Sequence, residues 1–368
     1  MTTLQTKRAA SRARNPLDAA TSAPERAAAA ADADTSIGPD AGSGPEAGRR
    51  FDGRGRFSVV VPLYNKAPHI EATLRSVLAN GDAVGEVIVV DDGSTDGSAA
   101  IAERVADARI RLVRQANGGV SRARNRGIDL ARFEWVAFLD ADDLWQPTYL
   151  SRLLELARSF PDCSMLATRY VLADEAGRRR APDGDWNLPS RGITRVDDYF
   201  TLMASGHVCC TISTAVRRSL LSGHAIRFPE GESLGEDLDF FFRVAEHTAL
   251  ALDVEPLAIY VDSSSVSRLS HGRLSAPIAP FLERMEARLR EGTVPQEKRE
   301  GMRRYIATKY ELAVLTTARE GQRAVALGLL RHPLLLARWW RWPGLLAVVL
   351  LPPSAGARIR AWRRAIAS

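Results

Sequence analysis

Cysteine and histidine are scarce in this chain of 368 residues, and their scarcity narrows the chemistry. The three cysteines, Cys163, Cys209 and Cys210, are too few and too unevenly placed for a disulfide framework, and they fit a reducing compartment. The six histidines are scattered, with no HExxH motif and no Cys/His cluster, so a zinc site is not expected. No Ser-His-Asp or Cys-His signature offers a covalent nucleophile. No GxGxxG loop follows the first strand-like run, where Val61-Pro62-Leu63-Tyr64-Asn65-Lys66 stands instead, so a dinucleotide-binding fold is excluded. Zinc-finger spacings, aromatic RNA-binding signatures and long Lys/Arg blocks are also missing. The formal net charge of +6 is therefore read as solubility or attraction to an anionic membrane surface, not as nucleic-acid binding.

The chain that remains is long enough for one large domain or two, and its composition divides it into three. Residues 1–55 are Ala, Pro, Gly, Ser, Asp and Arg with almost no aromatic or β-branched residues. Such a segment buries too little apolar surface to offset chain entropy, and it reads as a disordered extension. It does not read as a signal peptide, because its alanine run is short and interrupted by acids. Residues 56–270 alternate strand-like and helix-like stretches, the pattern of an α/β domain with a mostly parallel sheet and right-handed crossovers. Residues 271–368 read as a helical C-terminal extension.

Within the α/β region the strands deliver acids. Phe57-Ser58-Val59-Val60-Val61 reads as a first strand stopping at Pro62. Glu86-Val87-Ile88-Val89-Val90 reads as a second, running into Asp91-Asp92-Gly93-Ser94-Thr95-Asp96. Residues 109–113 read as a third strand, and a glycine turn at Gly118-Gly119 opens the next helix. Then Trp135-Val136-Ala137-Phe138-Leu139 runs directly into Asp140-Ala141-Asp142-Asp143. Uninterrupted apolar runs suit strands buried on both faces, and ligands in parallel sheets gather beyond the carboxyl ends of the strands. Two carboxylates one residue apart, Asp140 and Asp142, suit a divalent ion of the Mg²⁺ or Mn²⁺ kind, which takes oxygen ligands together with phosphates. An acidic turn capping a helix is the plainer reading of the same stretch. Further on, Gly235-Glu236-Asp237 precedes a helix-period run, and the helix dipole alone would favour acids there. Residues 208–216 have strand composition, residues 257–261 read as a last strand, and residues 177–190 read as a mobile loop.

Taken in order, these motifs resemble the family 2 glycosyltransferases, inverting enzymes of the GT-A fold active in bacterial envelope polysaccharide synthesis. The resemblance covers about residues 57–267 and rests on VPLYN at 61–65, VVDDGSTD at 89–96, NGGVSRARNRG at 117–127, FLDADD at 138–143 and GED at 235–237. It implies an α/β GT-A fold with a Rossmann-like, mostly parallel central sheet flanked by helices. It implies a nucleotide-sugar donor, most often a UDP-sugar, held by Pro62, Tyr64, Asn65, Asp92, Arg124, Asn125 and Asp140. In the family the second acid of the DDGS motif, here Asp92, accepts a hydrogen bond from the base. The first acid of the D-x-D motif, Asp140, is expected near the ribose, and Asp142 on the Mg²⁺ or Mn²⁺ that bridges the phosphates. Asp237 is the expected catalytic base with Glu236 beside it. One departure stands out. Many relatives carry Arg and His after the last strand, where this chain has Tyr260-Val261-Asp262-Ser263, which leaves Arg268 or His271 to help the pyrophosphate if any residue of that loop does.

Two other readings compete, a sugar-phosphate nucleotidyltransferase and a catalytically silent sugar-nucleotide-binding protein of an envelope assembly complex. The first wants a glycine- and basic-rich loop that is missing, and the second does not need the D-x-D pair together with Asp237. From residue 324 onward the chain mixes Leu, Trp and Arg. Its longest charge-free run, residues 342–357, holds three prolines and is shorter than the about 20 apolar residues a spanning helix needs. The prolines predict short helices. Leu329, Leu334, Leu335, Leu336, Trp339, Trp340, Leu345 and Leu346 beside Arg331, Arg338, Arg341, Arg358, Arg360, Arg363 and Arg364 predict a peripheral anchor on the cytoplasmic face of the membrane, suited to a glycan or lipid-linked acceptor.

Overall fold

A computed structural model describes residues 55–350 except residues 175, 185, 233 and 263–277. The expected disordered extension up to residue 54, the loop with Arg268 and His271, and the arginines beyond residue 350 lie outside the described residues.

The first half builds a parallel sheet from β1 (Phe57–Leu63), α1 (Ile70–Leu78), β2 (Val84–Asp91), α2 (Ser98–Arg104), β3 (Ile110–Arg114), α3 (Val120–Leu130) and β4 (Trp135–Phe138). β2 and β4 both pair β1 in parallel, and β3 pairs β2 in parallel, so the order is β3-β2-β1-β4. The chain thus builds outward from β1 to β3 and then returns to the other side of β1. That reversal is a topological switch point, and the crevice beyond the carboxyl ends of β1 and β4 is where such sheets take ligands.

The second half adds β5 (Leu144–Trp145), α4 (Tyr149–Ser159), β6 (Met165–Asp174), β7 (Arg179–Arg180), β8 (Ile193–Val196), α5 (Tyr199–Ala204), β9 (Thr214–Arg217), α6 (Arg218–Gly223), α7 (Glu236–Ala245) and β10 (Leu250–Asp262). β9 enters antiparallel between β4 and β6, and β10 runs parallel to β6 over most of its length. β5, β7 and β8 are short antiparallel additions.

Strand alternation divides the core between the two faces of the sheet. Val59, Val61, Val87, Val89, Trp135 and Ala137 join one cluster with Ile70 and Leu74 of α1 and Leu153 of α4. Their neighbours Val60, Ile88, Val90, Val136 and Phe138 join the other, with Ala123 of α3 and Phe240 and Phe242 of α7. Among the described residues five helices follow, namely α8 (Pro280–Glu291), α9 (Gln296–Arg319), α10 (Arg323–Leu330), α11 (Pro333–Leu336) and α12 (Trp342–Leu350). They pack on this second face. Met302, Tyr305 and Val314 of α9, Leu330, Leu335, Leu345 and Val349 all belong to its core.

Three expectations are corrected. β1 does not stop at Pro62 but runs through it to Leu63. The Val60 carbonyl accepts from Leu139 N, so alternation turns the Pro62 nitrogen to the same side, beyond the last β1–β4 pair, where no donor is needed. The strand expected over residues 208–216 is confined to β9, because residues Thr211–Ser213 form a 3₁₀ turn tied by Cys210 N donating to Ser213 Oγ. The last strand begins at Leu250, not Leu257, with an irregularity around Pro256 that interrupts the sequence pattern. In the C-terminal helices Leu335 and Leu345 are core residues, and Leu329, Leu334 and Leu346 are half-buried against them. Only Leu336, Trp339 and Trp340 of the apolar residues expected at a membrane are exposed.

Candidate functional site

One cavity of about 1170 Å³ opens at the switch point. Pro62, Tyr64, Asn65, Asp92, Arg124, Asp140, Asp142, Glu236 and Asp237 all line it, although they are drawn from five separate stretches of the sequence. Asn125 does not line it. Its amide donates to the Phe228 carbonyl (2.9 Å) and to Glu230 (3.0 Å), and its side-chain oxygen accepts from Phe228 N (2.8 Å), so it pins the loop before α7 to α3.

Beyond β1, Asn65 takes a left-handed conformation with φ 51°, uncommon for a residue with a side chain. Its side-chain oxygen accepts from Thr95 N (2.9 Å), which ties the VPLYN turn to the turn after β2. Tyr64 is left half-exposed at the rim, a ring available to stack on a flat ligand. Asp92 is almost wholly buried. It accepts from Gln115 Nε2 (2.8 Å), Gly118 N (2.9 Å) and Gly119 N (2.8 Å), so three of its roughly four lone-pair sites are filled. Its first task is to hold the glycine turn that opens α3; one acceptor site remains for a ligand.

The acidic run after β4 is held from below by Thr73, whose hydroxyl donates to the carbonyls of Ala141 and Asp143, each at 3.0 Å. Its three acids then diverge. Both oxygens of Asp140 accept from Arg124 Nη2, at 2.8 and 3.0 Å. Asp142 Oδ2 accepts from Lys66 Nζ at 2.5 Å, and Oδ1 has no partner among the described residues. Asp143 is buried and accepts from Val261 N (2.8 Å), which fastens the run to β10. Burial pushes the Asp143 carboxyl well up, and Asp142 and Asp140 push it further.

This crowding of negative charge bears on the divalent ion. The described residues contain no group of three or more His, Cys, Asp or Glu side chains that could hold a metal. An ion that also binds phosphates needs only one or two protein carboxylates, however. Asp142, with one oxygen uncommitted and its carboxylate on the cavity, fits that need. Asp140, engaged by Arg124 on both oxygens, fits it less well.

The opposite wall carries Glu236 and Asp237 in the first turn of α7. Gly235 before them has φ 81°, and a Cβ there would lie 2.6 Å from the Phe281 ring. Glycine is therefore required on two counts, for the turn and for the approach of α8. Asp237 Oδ1 accepts from Leu238 N (2.8 Å), and Oδ2 lies 3.4 Å from the Thr211 hydroxyl. Glu236 is nearly buried and 3.6 Å from Arg124 Nη1. Burial and then Asp237 raise its pKa, against Arg124. Burial opposes the charge of Arg124, but Asp140, Glu236 and Asp237 outweigh it and raise the guanidinium. Arg124 thus joins the acids of β4 to those of α7.

Residues 58–223 match the sequence profile described as Glycosyl transferase family 2. This stretch is a family 2 glycosyltransferase domain. The succinoglycan biosynthesis protein ExoO of Rhizobium meliloti is 32% identical over 225 residues, 58% of this chain and 63% of that protein. The putative glycosyltransferase EpsH of Bacillus subtilis is 28% identical over 265 residues, 70% of this chain and 76% of that one. The uncharacterized glycosyltransferase YibD of Escherichia coli is 41% identical, but the match spans 28% of this chain and 30% of YibD. Among solved structures, S. aureus TarS 1-349 in complex with UDP-GlcNAc superposes with a TM-score of 0.57, covering 80% of this chain and 90% of that 1-349 chain at 20% identity. At that identity the likeness is one of fold, and it places the glycosyltransferase domain in the GT-A architecture.

Several lining residues carry no motif. His207, Cys210 and Thr211 precede β9, and Lys309, Leu312, Thr316 and Glu320 come from α9 or its end. The residues of α9 recur at three- and four-residue steps, which marks a helix face without saying what that face meets.

Proposed function

We propose that the protein transfers a sugar, with inversion, from a nucleotide-diphosphate donor of the UDP-sugar type to a hydroxyl group of a glycan or lipid-linked acceptor. The observation that carries this reading is that the acids beyond β4 and the acids of α7 face one cavity at the switch point, joined by Arg124. The family domain and the fold shared with a UDP-GlcNAc complex support it.

In this reading Tyr64 stacks on the base and the remaining acceptor site of Asp92 takes a base N–H. Asp140, oriented by Arg124, takes a ribose hydroxyl. Lys66 sits on the diphosphate side and balances Asp142. Asp142 would hold a Mg²⁺ or Mn²⁺ ion, which when bound neutralises charge growing on the diphosphate leaving group. Asp237 accepts the proton of the attacking hydroxyl, a general-base contribution of about 10²–10⁴ in rate. Thr211 and Leu238 N fix the orientation of its carboxylate. Glu236, kept close to Arg124, shapes the field around that base. The hydroxyl attacks the anomeric carbon opposite the leaving diphosphate, so the configuration inverts in one displacement.

The test is a screen of nucleotide sugars for release of nucleoside diphosphate, repeated with Asp237→Asn. The expected result is one preferred donor, and a loss of about 10²-fold or more in the variant with donor affinity kept within a few-fold. Turnover near wild type in the variant would remove Asp237 from the role of base.

The same reading puts the enzyme at a membrane. No helix among the described residues is long and apolar enough to cross one. Leu336, Trp339 and Trp340 are instead exposed together, with Trp339 at 73% and Trp340 at 61%, beside the exposed Arg331 and Arg341. Tryptophan next to arginine suits the headgroup region of an anionic leaflet. The proposal is a peripheral, cytoplasmic enzyme docked through this patch.

A further inference from the structure

The motifs account for the nucleotide half of the cavity, whereas α9 supplies a wall that no motif marks. Lys309, Leu312, Ala313 and Thr316 fall on one stripe of α9, continued by Glu320 at its C-terminal cap, and line the cavity. Glu311, about half a turn away, is buried on the side away from the cavity and pairs with Arg338 (3.3 Å) and Arg341 (3.1 Å).

Lys309 differs from the other cations of the cavity. Lys66 is paired with Asp142, and Arg124 with Asp140. The Lys309 ammonium lies 5.0 Å over the Tyr305 ring and has no hydrogen bond or ion pair among the described residues. Burial pushes its pKa down, and no carboxylate stands near enough to push it back. The buried Tyr305 hydroxyl next to it is also without a partner. A half-buried cation with no counter-charge is costly unless a ligand supplies one. His207, a neighbouring cavity residue, feels both Lys309 and Asp237, so the three groups share one region. That region is the side of the base, where an acceptor enters, not the side of Asp142, where Lys66 already faces the diphosphate.

Resting on the glycosyltransferase reading, we propose that Lys309, with His207 beside it, forms a subsite for an anionic group, a carboxylate or a phosphate, on the acceptor. The cation bonds the anion directly, His207 adds a neutral donor, and the buried Ala313 and the exposed Leu312 give the subsite an apolar floor and rim. A neutral acceptor of the same size leaves Lys309 unpaired, so the subsite selects for charge.

The full chain saturated with UDP and Mn²⁺ is titrated calorimetrically with methyl glucuronide, glycerol phosphate and neutral methyl glucoside. The expected result is binding of one of the two anions, naming the source of the charge, with methyl glucoside weaker. Lys309→Gln should lower that affinity about tenfold or more and Lys309→Arg should keep most of it, while UDP affinity stays within about twofold in both. Equal anion affinity in Lys309→Gln, or anions binding no better than methyl glucoside, overturns the subsite and leaves the donor reading standing. A tenfold loss of UDP affinity in Lys309→Gln would assign Lys309 to the diphosphate and overturn the acceptor assignment. If the wild type binds no UDP at all, the glycosyltransferase reading falls and the subsite with it.

Discussion

Asp140, Asp142 and Asp143 are the same side chain within four positions, and the fold gives each a different neighbour. Arg124 takes both oxygens of the first, Lys66 takes one oxygen of the second, and a backbone amide of β10 takes the third. Chemistry is therefore assigned by the partner and not by the residue type. The same holds for His207, whose partners set its response to pH. Burial, helped by Lys309 and opposed by Asp237, holds its pKa below 6.5. As pH falls through the unfolded value the unfolded chain takes up a proton that the folded chain refuses. The unfolded state then binds more protons, so stability is full above about pH 6.5 and declines below it, towards the folded pKa. Urea unfolding of wild type and His207→Gln at about pH 7.5 and about pH 5.5 should show the wild type losing more stability on acidification than the variant. A wild type that gained stability relative to the variant on acidification would contradict the assignment.

At the scale of elements, the site depends on how closely α3 lies on β1. Gly127 makes that approach possible, since a Cβ there would stand 2.2 Å from Val60 Cγ1. Gly127→Ala should cost about 1–3 kcal/mol by overpacking, read as a lower urea midpoint. It should also weaken nucleotide binding, because Arg124 rides on the same helix. A variant with wild-type stability and affinity would show that α3 shifts freely. These elements were largely legible in the sequence. Val59–Val61, Val87–Val90 and Trp135–Leu139 are apolar without interruption, as strands buried on two faces must be, and the acids at their ends predicted the cavity edge. The rest was hidden for identifiable reasons. β6 carries Thr168 and Arg169 at its centre and lacks a clean pattern. β9 is short and follows a 3₁₀ turn. Asn125 sits in a motif beside Arg124, yet its amide is turned to the Phe228 loop, and one-residue steps on a helix change the face completely. Lys309 lies more than sixty residues beyond the last motif, and only packing brings α9 over the cavity.

For the whole molecule, α9 carries one face to the cavity and the other to the helices that expose Trp339 and Trp340, so the cavity wall and a surface patch share one rod of structure. Arg338 and Arg341 are partly neutralised by Glu311, which leaves the patch less basic than its composition suggests. Sedimentation with vesicles containing anionic lipid should still pellet the full chain at low salt, less so at high salt and less so for Trp339→Ser/Trp340→Ser. A protein that stays in the supernatant at low salt would confine these helices to packing on the core. In the proposed function the switch-point cavity binds a nucleotide-diphosphate sugar with a divalent ion at Asp142. Calorimetric titration of wild type and Asp142→Ala with a UDP-sugar, with and without Mn²⁺, decides this. Mn²⁺ is expected to tighten donor binding in the wild type and to have no such effect in Asp142→Ala; an equal Mn²⁺-dependent gain in both proteins would remove Asp142 from the ion site.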